Sequence, residues 1–208
     1  VPITVITGQP GNGKTLLMME LLTEAARKAE RPIYASGIDG LTPGLAQVLD
    51  DPKQWATVED GSIVFIDEAW KFFGNREWQD CAPGVIFYTR QHRKWGDDIW
   101  IISQTAEQLD KSLRDVIQEY VYVENRDQRK FFGFRKPSGF HFAVYDRPYR
   151  DPGKALSYAG VMSLRKALCQ CYETRAGVGV KVWGDGDVNQ KVKGVPWWVM
   201  PLGISVAL

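Results

Sequence analysis

Apolar and polar positions follow two rhythms along the chain. Short runs with apolar, often β-branched residues predict buried strands at Ile3–Thr7, Pro32–Ser36, Ile63–Ile66 and Ile99–Ser103. Longer stretches with helical spacing predict helices over Leu16–Ala29, Val85–Trp95 and Ala106–Tyr120, the last with Leu109, Leu113, Val116 and Ile117 on one face. Leu45–Leu49 reads as one helical turn broken by Asp51-Pro52, with Trp55 anchoring the connection to the core. Further on, Tyr120–Val123 predicts a strand, and Lys130–Phe134 with Phe140–Tyr145 a hairpin around Pro137-Ser138-Gly139. Strands alternating with helices predict an α/β fold, a mainly parallel sheet flanked by helices, with a small β-rich extension. The division expected is a main domain over 1–150, a loosely packed extension or tether over 151–194 with a helix at Val161–Tyr172, and a distinct apolar end over 195–208.

The first strand runs into Gly8-Gln9-Pro10-Gly11-Asn12-Gly13-Lys14-Thr15, and a helix follows at once. This is the phosphate-binding P-loop pattern in the strand–helix setting it requires. Glycines let the backbone turn its N–H groups inward, and the helix N-terminus adds partial positive charge. Lys14 would reach the β- and γ-phosphates of ATP, and the Thr15 hydroxyl would ligate Mg²⁺. An ordinary glycine-rich turn is the bland alternative, and the surroundings disfavour it.

Ile63–Ile66 closes on Asp67-Glu68. A hydrophobic strand ending in two carboxylates downstream of a P-loop reads as a Walker B element, with Asp67 on Mg²⁺ and Glu68 polarising the attacking water. An acidic helix cap would look similar by itself; the P-loop favours the catalytic reading. Trp70, Phe72, Phe73 and Trp78 form an aromatic cluster that is core or partly exposed to a partner, burial being the default. Arg129, Lys130, Arg135 and Lys136 interleave with Phe131, Phe132 and Phe134. That pattern suits a half-buried edge strand better than a stacking platform for single-stranded nucleic acid.

Composition narrows the classes little. The 208 residues carry 44% hydrophobic and 25% charged side chains with a net charge of +1, so no global field draws the protein to nucleic acid or anionic lipid. Three cysteines, Cys81, Cys169 and Cys171, make no even disulfide framework and favour a reducing compartment. With His92 and His141 they match no familiar zinc spacing. Val195–Leu208 carries no charge, and Trp197-Trp198 follows Lys191 and Lys193, as at the cytoplasmic entry to a membrane helix. Fourteen residues fall short of the about 20 that span a bilayer. The expectation is the beginning of a transmembrane segment, against a tail docked on its own domain.

The chain resembles the zonula occludens toxin-like (Zot) family, which includes assembly ATPases of filamentous bacteriophages. The likeness rests on Gly8–Thr15, on Ile63–Glu68, on His92-Arg93-Lys94-Trp95-Gly96-Asp97-Asp98-Ile99 leading to Ser103-Gln104, and on Tyr172-Glu-Thr-Arg-Ala. It implies a P-loop core of the RecA/FtsK-like ASCE type, related to DNA-pumping ring ATPases. It further implies a site at the cytoplasmic face of the bacterial inner membrane, a single anchor beginning near residue 195, and extrusion of phage particles through the envelope. Expected partners are further copies in a ring, other phage assembly proteins or envelope components, and the inner membrane. Nucleic acid stays open, and no toxin activity is carried over to these residues. In such rings a polar residue at the strand end between the Walker elements senses the γ-phosphate, which makes Gln104 the candidate, although a buried structural amide would read the same way. A neighbour's arginine often completes the site; Arg90, Arg93 and Arg114 are candidates, none favoured by spacing. A DNA-translocating ATPase and a membrane-anchored toxin or interaction protein using ATP only as a conformational switch are the competing readings.

Overall fold

The computed structural model describes residues 2–74, 91–125, 139–151, 153–163, 168 and 170–172. Its frame is one eight-stranded sheet. The strands are β1 (Ile3–Thr7), β2 (Ile33–Ser36), β3 (Gln47–Val48), β4 (Ile63–Ile66), β5 (Asp98–Ile102), β6 (Glu119–Asn125), β7 (Gly139–Tyr145) and β8 (Leu156–Ser163), in spatial order β3-β2-β4-β5-β1-β6-β7-β8. The first six strands are mutually parallel, and β7 and β8 add antiparallel. β5 lies between β1 and β4, so the strand ending in the P-loop and the strand ending in Asp67 are separated by one strand. From β1 the chain turns to one side, and from β5 it crosses to the other. The crevice above the carboxyl ends at such a switch point is where α/β sheets bind ligands.

β1, β2, β4 and β5 are buried at every position, which explains their unbroken apolar runs. Alternate residues supply two cores. Val5, Val64, Ile66, Ile99 and Ile101 face one layer with Trp55, Phe73, Leu109 and Leu113. Ile6, Phe65, Trp100 and Ile102 face the other, covered by Leu16, Leu17, Met18, Met19 and Leu22 of helix α1 (Lys14–Lys28). Each such side chain contributes about 1.5–3 kcal/mol on burial. Trp55 anchors its connection as expected: it is fully buried and stacks on Phe73 with centroids 4.9 Å apart.

Four local expectations differ from the structure. Residues 45–49 make no helical turn; Gln47–Val48 adds to the sheet edge beside Tyr34 and Ala35. Ala106–Tyr120 is not one helix but a 3₁₀ turn (Ala106–Gln108), a single turn α3 (Lys111–Arg114) and the start of β6. Thr105 and Gln108 form a capping box, Leu109 is extended, and Asp110 caps α3 by accepting from the Ser112 N–H at 2.7 Å. Local caps overrode the helical period. β7 contains Phe140–Tyr145 as expected, but both its edges are taken, by β6 and by β8; residues 130–134 lie outside the described residues. Val161–Ser163 is strand rather than the start of a helix, because β8 pairs with β7 along its length.

The extension foreseen at 151–194 thus supplies the eighth strand of the main sheet. Leu168 and Tyr172 are also buried in the layer covered by α1. Residues 85–90 of the helix expected over Val85–Trp95, with Trp78, Cys81 and the basic–aromatic stretch 129–136, lie outside the described residues; 91–95 is helical. Val195–Leu208 lies outside them as well, and among the described residues no helix is long and apolar enough to cross a membrane.

The run from His92 to Asp98 builds the base of the sheet, at the end opposite the P-loop. The Arg31 guanidinium donates to the carbonyls of Gly61, Ser62 (2.9 Å) and Gly96 (2.7 Å) and pairs with the Asp98 carboxylate. Asp97 accepts from the Ser62 N–H at 2.8 Å, and the Trp95 carbonyl from the Gly61 N–H at 2.7 Å. One arginine therefore ties the approaches to β2, β4 and β5.

Candidate nucleotide site

The P-loop leaves β1 with glycines in the left-handed region. Gly13, the residue capping α1, has φ 85°, and a methyl group there would meet the Phe140 ring at 2.7 Å. Gly8 lies so close to β6 that a Cβ would stand 2.3 Å from the Val123 carbonyl oxygen. Asn12 Nδ2 donates to that same carbonyl at 3.0 Å, and the Gly8 N–H donates to the Gln104 carbonyl at 3.2 Å. Strand ends on both sides hold the loop.

Above it is a cleft of ≈ 170 Å³ lined by Pro10, Lys14, Thr15, Asp67, Glu68, Trp70, Ile102, Ser103 and Gln104. It brings Lys14, Thr15, Asp67, Glu68 and Gln104 together from segments far apart in sequence. Thr15 Oγ1 donates to Asp67 Oδ2 at 2.8 Å, and the Glu68 N–H to Asp67 Oδ1 at 2.7 Å. Burial holds the Asp67 carboxyl above the ordinary carboxylate range, against the Thr15 hydrogen bond, which lowers it. Lys14 Nζ donates to the carbonyls of Gly8 (2.8 Å) and Gln9 (3.1 Å), and burial pushes its ammonium below the usual lysine range. A buried carboxylate and a poorly solvated cation on one cleft suit a metal–polyphosphate ligand.

The residues fit Mg²⁺ in that form. It binds hard oxygen donors, keeps several waters and takes one or two protein carboxylates alongside substrate phosphates. Thr15 and Asp67 offer such a pair, and no cluster of three or more His, Cys, Asp or Glu residues among the described ones could hold an all-protein metal site.

Glu68 stands at φ 49°, a left-handed conformation uncommon for a residue with a side chain. The turn is held by the Asp67 carboxylate and by the Ala69 N–H, which donates to the Ile102 carbonyl at 2.9 Å. It is also held from behind: Gly37 (φ 75°) packs where a Cβ would come within 2.5 Å of the Asp67 carbonyl oxygen. The Glu68 carboxylate is half exposed on the cleft and pairs with Lys71 of the short helix α2 (Trp70–Phe73). Gln104 is exposed on the cleft rim rather than buried as a structural amide.

Arg93 is exposed five residues before β5, and Arg114, in α3, lies four residues before Gln118, whose N–H donates to the Ile3 carbonyl. The Arg114 carbonyl accepts from the Tyr120 hydroxyl at 3.3 Å, and neither arginine lines the cleft. Arg90 lies outside the described residues. Sequence reasoning did not single out Gly37 or Lys71, and it placed Trp70 in the core by default, whereas Trp70 is 37% exposed at the cleft. A glycine after a short strand and a lysine one helical turn past Glu68 were readable signals, but only for a known strand order.

The family model described as zonular occludens toxin (Zot) matches residues 43–138. That stretch, just under half of the chain, resembles the Zot family. The Zot match takes in Asp67, Glu68 and Gln104, while the P-loop precedes it. Over 130 residues the chain is 29% identical to the putative assembly protein ORF301 of Pseudomonas phage Pf3, covering 58% of this chain and 42% of that protein. The chain therefore spans less than half the length of the curated relative it matches. The fold resembles the N-terminal domain of zonular occludens toxin from Neisseria meningitidis, with a TM-score of 0.59 at 21% identity, covering 83% of this chain and 99% of that one. It also resembles the genome packaging NTPase B204 of Sulfolobus turreted icosahedral virus 2, solved with ATP-gammaS, with a TM-score of 0.52 at 14% identity over 74% of this chain and 96% of that one. The fold is that of P-loop NTPases.

Proposed function

We propose that this Zot-like chain is the ATP-hydrolysing motor domain of a phage assembly machine, acting at the cytoplasmic face of the inner membrane to drive particles through the envelope. The observation that best supports it is the 2.8 Å contact of Thr15 with Asp67, with Glu68 beside it on the cleft. The P-loop N–H groups and Lys14 bind the phosphates, and Thr15 with Asp67 would hold Mg²⁺, which supplies charge neutralisation on the transferred phosphoryl group. Glu68 orients and polarises the attacking water. Gln104 carries the γ-phosphate state back to the loop through its carbonyl contact with Gly8. Lys14 is the cationic side chain lining the described cleft, with Lys71 paired to Glu68 beside it, and an arginine from a neighbouring copy, Arg90, Arg93 or Arg114, completes the charge in a ring. The resemblance to the putative assembly protein of Pf3 supports the assembly role, and the apolar stretch from Val195 supports the membrane anchor.

The test is Mg²⁺-dependent ATP turnover of the membrane-inserted protein as a function of its concentration, with Lys14→Ala and Glu68→Gln alongside. Turnover unaffected by both substitutions rejects the site; a steeper-than-linear rise with concentration supports completion between subunits. The DNA-translocating reading would instead show tight, salt-sensitive DNA binding, and the net charge of +1 weighs against it. ATP binding without turnover at any concentration would favour the conformational switch.

A further inference from the structure

We propose that the Phe140 ring is the platform on which the nucleotide base rests. The inference depends on the nucleotide reading of the cleft and adds the part of the ligand that reading leaves unplaced. The groups that would handle the terminal phosphate gather on one side of β1: Asp67 and Glu68 after β4, Ser103 and Gln104 after β5. A triphosphate lying across the loop with its terminal phosphate there directs its nucleoside to the other side of β1, where β6 and β7 run.

On that side Phe140, the second residue of β7, pairs with Asn125 at the end of β6, and its ring lies against Gly13 at the N-terminus of α1. A Cβ on Gly13 would stand 2.7–3.0 Å from three ring atoms, so the glycine is what lets the aromatic approach the phosphate loop. The ring is only partly buried. Phe142, two residues along on the same face, is by contrast enclosed in the core near Tyr158. Asn12, the other side chain placed to read a base here, is committed to the Val123 carbonyl. The apolar ring thus presents a stacking surface beside the loop, and stacking accepts any base because every base has a π-face.

The experiment compares Mg²⁺-dependent binding of ATP and of inorganic tripolyphosphate to the full chain and to Phe140→Leu and Phe140→Trp. Leucine keeps apolar bulk over Gly13 while removing the aromatic face. The wild-type chain is expected to favour ATP over tripolyphosphate by about tenfold, the scale of one base–aromatic stack. Phe140→Leu should lose most of that preference with tripolyphosphate binding unchanged, and Phe140→Trp should retain it. Equal weakening of both ligands by Phe140→Leu would make the ring a buttress of the loop and overturn the proposal, as would no change in either. A wild-type chain that binds neither ligand, or a Lys14→Ala variant that binds both unimpaired, overturns the nucleotide reading itself and this proposal with it.

Discussion

Thr15 and Asp67, 52 positions apart, meet through a 2.8 Å hydrogen bond at the floor of the cleft. The contact joins the first turn of α1 to the end of β4 across the intervening strand. Asp67 is buried there, and its carboxyl is held above the ordinary range because burial disfavours the charged form. A raised folded-state pKa means that the native chain binds this proton more tightly than the unfolded chain. The group's stabilising effect is therefore complete below the ordinary carboxylate pKa of about 4 and is lost as pH rises through the raised value. At neutral pH the charged Asp67 lowers stability in the ligand-free protein.

Asp67→Asn should accordingly raise the melting temperature of the ligand-free chain at pH 7.5, and the gain should shrink towards pH 4. An amide can still accept from the Glu68 N–H and meet Thr15. The same variant should lose the extra stabilisation that Mg²⁺ and ATP give the wild type. Thermal unfolding at the two pH values, with and without ligand, measures both effects.

Glu68→Gln and Lys14→Ala should separate chemistry from binding. Removing a general base costs about 10²–10⁴-fold in turnover, so Glu68→Gln should bind ATP normally and hydrolyse it slowly. Lys14→Ala should weaken binding by about 10–100-fold, the loss of a charge-assisted hydrogen bond. Equilibrium binding and single-turnover hydrolysis on the same preparations distinguish the two.

Gly37→Ala should reach the site without touching the ligand. The new methyl would meet the Asp67 carbonyl oxygen at 2.5 Å, at a backbone φ of 75° that alanine disfavours. Strain of about 1–3 kcal/mol is expected. Relief by displacement of Asp67 should weaken Mg²⁺-dependent ATP binding more than tripolyphosphate binding measured without Mg²⁺. Urea unfolding and binding titrations provide the check.

Arg31→Met should do the reverse. It removes Arg31 from the buried Asp98 carboxylate and from the carbonyls of Gly61, Ser62 and Gly96, and should destabilise the fold by about 3–5 kcal/mol. Arg31→Met with Asp98→Asn should recover part of that loss, since the buried negative charge is gone. Folded molecules of both variants should bind ATP like wild type, because Arg31 sits at the opposite end of the sheet. Urea midpoints and binding constants test the separation.

The chemistry of the phosphate cradle was readable in the sequence because it is local: a strand, eight consecutive residues and a helix carry their own geometry. The same holds for Asp67-Glu68 at the end of an unbroken apolar strand. The run His92–Asp98 was equally visible, but not its role, since Asp98 answers to Arg31 and Asp97 to the Ser62 N–H, both far upstream in the chain. The broken stretch 106–120 misled because caps at Thr105, Gln108 and Asp110 compete with a helical period that leucines alone would have sustained.

The sequence by itself determined which residues would be buried in strands, where the backbone could turn around a phosphate, and which carboxylates would follow. The place of Gln104 between the Walker elements was implied only through the resemblance; the tertiary structure decided it, with β5 between β1 and β4 and the Gln104 carbonyl on Gly8. It also decided that residues 156–163 complete the sheet, and that Gly37 and Phe140 stand against the site from two sides. The physical reason is the same in each case. Periodicity reports whether a residue faces a core, whereas strand order and close approach arise from contacts between segments whose spacing along the chain carries no trace of them.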